Sequence, residues 1–208
     1  DGIRDVAVTG VQTCALPICT LLIHYSTDYV FDGDKPAPYT ETDIPKPKSC
    51  YGKSKLEGER LIIESGAAHL IFRTSWVFGA HGGNFAKTIL RLAREKDALN
   101  VVSDQWGAPT PATLLAQATA FAIERRARLI HGDPAMAHLA ELTGLYHLTA
   151  SGETNWCDYA KYLVSELNRR GLHTRLQAEK IHAVTTEAYG AKAPRPHNSR
   201  LDTDRKST

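Results

Sequence analysis

Long apolar runs are missing from this 208-residue chain, so nothing in it reads as a membrane span, and no membrane partner is expected. The basic, apolar, cleavable order of a secretory signal is missing too, which makes the cytoplasm the expected compartment. Neither sign of charge dominates: 25 Lys and Arg stand against 23 Asp and Glu, leaving +2. With no basic stripe, a nucleic-acid partner gains no electrostatic support. The four cysteines, Cys14, Cys19, Cys50 and Cys157, show no C-x-x-C spacing, and no two histidines stand four apart. That argues against a disulfide scaffold or a structural zinc site, and no metal is expected. Asp32-Gly33-Asp34 starts like a calcium loop but lacks the further spaced ligands and the distal Glu, so it reads as a turn. What is present is ordinary for a globular protein: 42% hydrophobic and 23% charged residues, enough for a sizeable core.

Residues 1–19 (DGIRDVAVTGVQTCALPIC) differ from the rest and read like the translation of a sequencing adapter, so they are expected to be a non-native leader. Val6-Ala7-Val8-Thr9-Gly10 imitates a strand and a glycine turn, but a dinucleotide fingerprint needs G-x-G-x-x-G and only Gly10 is there. From Thr20 onward the pattern alternates. Thr20–Tyr25, His69–Ser75 and Leu145–Ala150 read as strands. Helices are expected from a Ser49 cap to about Ser65, over about 83–96, from Pro111 to about Ile130, and from about Thr154 to Arg170. Strands alternating with helices of this length predict an α/β fold with a mainly parallel sheet.

Tyr51-Gly52-Lys53-Ser54-Lys55 sets a phenol and an ammonium four residues apart, on one helical face. An isolated Tyr titrates near 10, and a neighbouring positive charge favours its phenolate. Such a Tyr is a usable general acid or base near neutral pH. Thr27, after a buried strand, can donate a hydrogen bond to a reacting carbonyl. The trio suits hydride transfer with protonation of the developing alkoxide by Tyr51. Taken alone, Y-x-x-x-K also describes a solvated helix face.

With Ser26-Thr27-Asp28-Tyr29-Val30-Phe31 at a strand end, the pattern resembles the extended short-chain dehydrogenase/reductase superfamily. HYSTDYVF (24–31), YGKSKLEGE (51–59), HLIFRTSWVFG (69–79), NFAKTILRLA (84–93), DQWGAPT (104–110), GLYHLTASG (144–152) and RPHNSRL (195–201) occur in this order. Together they are similar to the dTDP-4-dehydrorhamnose reductase family. The resemblance implies the C-terminal half of a Rossmann-like parallel sheet with a smaller interleaved α/β substrate domain. It also implies reduction, with NADPH or NADH, of the 4-keto group of dTDP-4-dehydro-L-rhamnose, a step towards cell-surface polysaccharide. Thr27, Tyr51 and Lys55 are then the catalytic set. Tyr25, Tyr51 and Lys55 border the cofactor, and Thr27, Asp28 and Trp76 touch the sugar nucleotide. Asn84, Gln105 and Arg195 are further candidates for the nucleotide or diphosphate, Arg being suited to phosphate. A dTDP-sugar is the implied partner, and a homodimer is compatible.

The resemblance divides the chain into the later part of a Rossmann domain at 20–79 and a substrate-binding region at 80–208, expected to be truncated at its C-terminus. The glycine turn that holds a pyrophosphate is not found, so a fragment is expected that by itself binds no NADPH and turns nothing over. Two other readings compete. One is another nucleotide-sugar enzyme of the superfamily, an epimerase or a 4,6-dehydratase; the dehydratase needs a second carboxylate after Asp28, where Tyr29 stands. A non-catalytic protein like the regulatory subunit of methionine adenosyltransferase would share the STDYVF and YGKSK segments, and Trp76 with DQWGAPT favours the reductase.

Overall fold

The computed structural model describes residues 21–130, 143–190 and 195–204; the expected leader at 1–19 lies outside them. Strand β1 (Leu22–Thr27) runs into a 3-10 turn (Asp28–Val30), and helix α1 (Cys50–Glu64) follows a loop. Then come β2 (His69–Thr74), β3 (Val77–Phe78), α2 (Phe85–Glu95), β4 (Leu99–Val102), β5 (Trp106–Gly107) and β6 (Thr110–Pro111). Helix α3 (Ala112–Ile130), β7 (Gly144–His147), β8 (Thr154–Asn155), α4 (Trp156–Arg169), β9 (Ile181–Val184) and α5 (Thr186–Tyr189) complete the described elements. The expected helices and three longer strands are all present, with ends shifted by no more than three residues. The mainly parallel α/β character holds: among the described residues β1-β2-β7, β3-β6 and β4-β9 pair in parallel, and only β5-β8 is antiparallel. Among the described residues no helix is long and apolar enough to cross a membrane.

The central sheet places Thr27 opposite Thr74 at the ends of β1 and β2. Its faces alternate with the pleat. His24 and Arg73 face α1, where Gly58 lies beside His24. Tyr25, Phe72 and Tyr146 form a tilted aromatic row on the other face, with ring centroids 6.1 and 6.3 Å apart. A second core joins α2 to α4 over β4 and β9, through Ile89, Ala93, Cys157, Ala160, Val164 and Leu176. Each buried Ile, Leu or Val there contributes about 1.5–3 kcal/mol relative to exposure. Asp32-Gly33-Asp34 is a turn, with Gly33 at a φ of 79° and the Asp34 amide donating to Asp32 Oδ1.

One charged contact crosses the first core. Arg73 donates from Nε and Nη2 to both carboxylate oxygens of Glu59, at 2.9 and 2.6 Å, with both side chains under 5% exposed. Phe31 lies 5.0 Å from the guanidinium, on a ring stack with Tyr39. Removing one partner of a buried pair leaves an uncompensated charge. Glu59→Gln is therefore expected to lower the unfolding free energy by about 3–5 kcal/mol, read as a fall in the urea midpoint. A midpoint equal to the parent's would show the pair to be energetically idle.

Candidate active site

The site is built where β1 and β2 end, at the carboxyl edge of a parallel sheet. Thr27 caps the 3-10 turn there, its hydroxyl accepting from the Tyr29 amide at 3.2 Å and donating to Asp28 Oδ1 at 3.1 Å. Ser49 caps α1 by accepting from the Gly52 amide at 3.0 Å. The first turn of α1 lies hard against the 3-10 turn: a Cβ on Gly52 would fall 2.1 Å from the Tyr29 carbonyl oxygen. That close approach brings Tyr51 edge-on to Tyr29, with centroids 5.7 Å apart.

Thr27, Asp28, Tyr51 and Trp76 all line one cavity of about 550 Å³, with Arg195 at its border. Ser26, Thr74 and Ser75 line it too. These three were not singled out from sequence, although Thr74 and Ser75 stand inside the R-T-S-W block and Ser26 directly precedes Thr27. Among the described residues, Ser26 Oγ, Thr74 Oγ1, Ser75 Oγ and Asp28 Oδ2 are buried without a hydrogen-bond partner. Buried polar groups are ordinarily satisfied, so these atoms are exceptions behind the cavity wall. Asp28 is 3% exposed, and burial pushes its carboxyl up to about 6 against the opposing influence of the nearby Ser199 and Thr27 hydroxyls. Burial and the Asp28 charge likewise raise the Tyr29 phenol.

Trp76 is half-buried and holds a φ of 49°, the left-handed region, which costs a bulky residue on the order of 1–3 kcal/mol. Its indole stacks on Trp156 at 3.5 Å between centroids, so one face is taken by protein.

Of the remaining candidates, Lys55, Tyr25, Asn84 and Gln105 lie outside this lining. Lys55 is on α1 one turn after Tyr51, partly buried. Tyr25 sits on the sheet face away from α1, its hydroxyl hydrogen-bonded to Thr119 of α3. Asn84 caps α2: its Oδ1 accepts from the Lys87 amide at 3.0 Å and its Nδ2 donates to the Gly79 carbonyl at 2.8 Å. Gln105 is buried and lines a neighbouring cavity of about 300 Å³ with Phe85, Leu92 and Trp156. Arg195 borders that cavity, the main one, and a third beside Lys48 and His197. Among the described residues no group of His, Cys, Asp and Glu is placed to hold a metal ion.

The family described as RmlD substrate binding domain matches residues 3–208. The dTDP-4-dehydrorhamnose reductases of Shigella flexneri and Escherichia coli (strain K12) are 48% and 47% identical over 203 residues, 98% of this chain and 64% of each relative. A solved dTDP-4-dehydrorhamnose reductase from Bacillus anthracis str. Ames, in complex with NADP, superposes with a TM-score of 0.79. It is 33% identical, and the match covers 96% of this chain and 63% of that one. A dTDP-glucose 4,6-dehydratase from the same organism, 14% identical with a TM-score of 0.69, shares the fold over 95% of this chain and 58% of its own. The chain thus spans just under two-thirds of the length of the curated relatives it matches.

Asp28 gives the site a pH signature. Its folded value, about 6, lies above the ordinary 3.8, so the folded state binds the extra proton between those limits. Its contribution to stability is therefore greatest below pH 4 and is lost as pH rises through 6. At 1.36 kcal/mol per pH unit the loss is roughly 3 kcal/mol. Asp28→Asn should remove this slope, leaving the variant more stable than the parent at pH 7 by urea unfolding, and the two closer at pH 4. Parallel stability curves for parent and variant would refute the assignment.

Proposed function

The chain belongs to the RmlD substrate binding domain family, and from that premise we propose that it carries the reducing site for the 4-keto group of dTDP-4-dehydro-L-rhamnose, with NADPH as electron donor. The observation that carries this reading is the convergence of Thr27, Asp28, Tyr51 and Trp76 on one cavity at the strand ends. Residues 20–79 then belong to the Rossmann part and 80–208 to the substrate-binding region. In keeping with the family resemblance, the compartment is the cytoplasm and the assembly a homodimer.

The cavity at the carboxyl edge of the sheet is lined by the polar residues Thr27, Asp28, Thr74 and Ser75, which suits a ligand rich in hydroxyl groups. When bound, NADPH supplies the hydride that reduces the sugar carbonyl. Tyr51, exposed on the first turn of α1, gives its phenolic proton to the carbonyl oxygen as the negative charge develops there. Thr27 donates a hydrogen bond to the same oxygen. Its hydroxyl has one proton, now directed at Asp28, so this donation costs Asp28 a partner and suits the carboxyl that burial holds near 6. Lys55, one helical turn on, holds the ribose of the cofactor and keeps positive charge beside Tyr51. Trp76 offers apolar surface to the 6-deoxy side of the sugar.

Turnover belongs to the whole protein and is measured there as NADPH oxidation dependent on dTDP-4-dehydro-L-rhamnose. Tyr51→Phe keeps the ring and deletes the proton, so kcat should fall by about 10²–10⁴-fold with NADPH affinity retained. Lys55→Met should weaken NADPH binding as well, and Thr27→Val should lie between the two in kcat. Near-parental turnover in Tyr51→Phe would remove the phenol from the reaction. Separately, Trp76→Ala should weaken dTDP-rhamnose more than NADPH; equal losses would assign Trp76 to the core alone.

A further inference from the structure

Trp76 and Trp156 line different cavities, Trp76 the one that holds Thr27 and Tyr51, Trp156 the apolar one beside Phe85. Their stacked rings, 14° from parallel, stand between the two. A left-handed backbone at a tryptophan is disfavoured and persists only where the surroundings over-determine it. The surroundings here are specific. Trp156 Nε1 donates to Gln105 Oε1 at 3.1 Å, and Gln105 Nε2 donates to Thr186 Oγ1 at 2.9 Å. Thr186 Oγ1 in turn donates to Asp104 Oδ1 at 2.7 Å. Trp156 is also wedged against Phe85, 4.4 Å between centroids. On Gly107 a Cβ would fall 2.6 Å from Trp76 Cε2 and 2.9 Å from Cζ2, so only glycine leaves the indole its place. The Trp76 carbonyl oxygen accepts from the Thr110 amide at 3.1 Å, fixing the peptide that follows.

We propose that Trp156, seated by Gln105, is a positioning residue of the site. It holds Trp76 in its left-handed conformation at the cavity wall, and Gly107 supplies the clearance. The inference rests on reading that cavity as the sugar-nucleotide site. Trp156 touches no reacting atom; its effect on the ligand passes through Trp76 and falls on the sugar.

Two stacked indoles couple their electronic transitions, so the whole protein should show a far-UV circular dichroism couplet without any ligand. Trp76→Phe, Trp156→Phe and Gly107→Ala should each abolish it, and Trp106→Phe should keep it. Calorimetry with dTDP and with dTDP-rhamnose then reads the sugar increment, the ratio of the two Kd values. Trp156→Leu and Gly107→Ala should reduce that ratio by about 3–10-fold, the scale of one aromatic contact. Trp156→Phe, which still offers a ring, should largely retain it. Gln105→Leu should lie between, and with Gly107→Ala it decides the matter if Trp156→Leu does not fold. A couplet that survives Trp156→Phe or Gly107→Ala overturns the proposal. So does an unchanged ratio in both Trp156→Leu and Gly107→Ala when the parent discriminates the sugar. A parent that binds dTDP-rhamnose no better than dTDP refutes the sugar reading instead, and the couplet alone then judges the stack.

Discussion

The buried contact between Glu59 and Arg73 sets the rotation of α1 against the sheet. Such a pair contributes little net stability compared with a well-packed apolar core, but it tolerates only one geometry. Glu59 must face Arg73, and residues four and eight earlier then lie about 40° and 80° round the helix from it. Those residues are Lys55 and Tyr51. At the other end of the contact, Arg73 belongs to the strand that delivers Thr74, Ser75 and Trp76 to the cavity. One charged pair therefore ties the helix that bears Tyr51 to the strand that ends in Thr74. The missing Cβ of Gly52 complements it by letting the first turn of α1 reach the Tyr29 carbonyl, closing the gap between helix and strand end.

Much of this was legible in the chain. The apolar repeat of α4 and the cap Ser49 are local signals, and local signals survive in sequence. So does the Tyr51–Lys55 spacing. Thr27 and Trp76 were reached through ordered blocks of residues, and they meet in one cavity. Contacts between distant residues were not legible. Strands β4 and β9 are four residues each and pair across more than seventy, too short and too far apart for periodicity to link them. Arg73 follows the apolar run Leu70-Ile71-Phe72, and nothing near it in sequence names Glu59 as the partner. Asn84 illustrates a polar residue whose local job was available to be read. It directly precedes the first periodic apolar residue of α2, the position where a side-chain oxygen satisfies an exposed helix amide. Trp76 and Trp156 are eighty residues apart, and only the fold reveals that they stack.

The tail segment 195–204 is tied into the same region by backbone as well as side chains. The Asn198 amide donates to the Gly33 carbonyl and the Ser199 amide to the Trp106 carbonyl, which sets buried Ser199 beside Asp28. Residues from opposite ends of the described chain thus share the wall around Asp28, which helps explain how that carboxyl stays dry enough to rest near 6.

Arg195 borders three cavities at once. A single guanidinium has five N–H donors in a rigid fork, so commitments made on one side remove donors and orientational freedom from the others. Ligand groups lodged in adjoining cavities consequently meet a shared receptor element, and their binding free energies do not sum. The affinity of a molecule spanning these spaces is not the product of affinities found for its pieces, and changes made in separate cavities are thermodynamically coupled through one side chain.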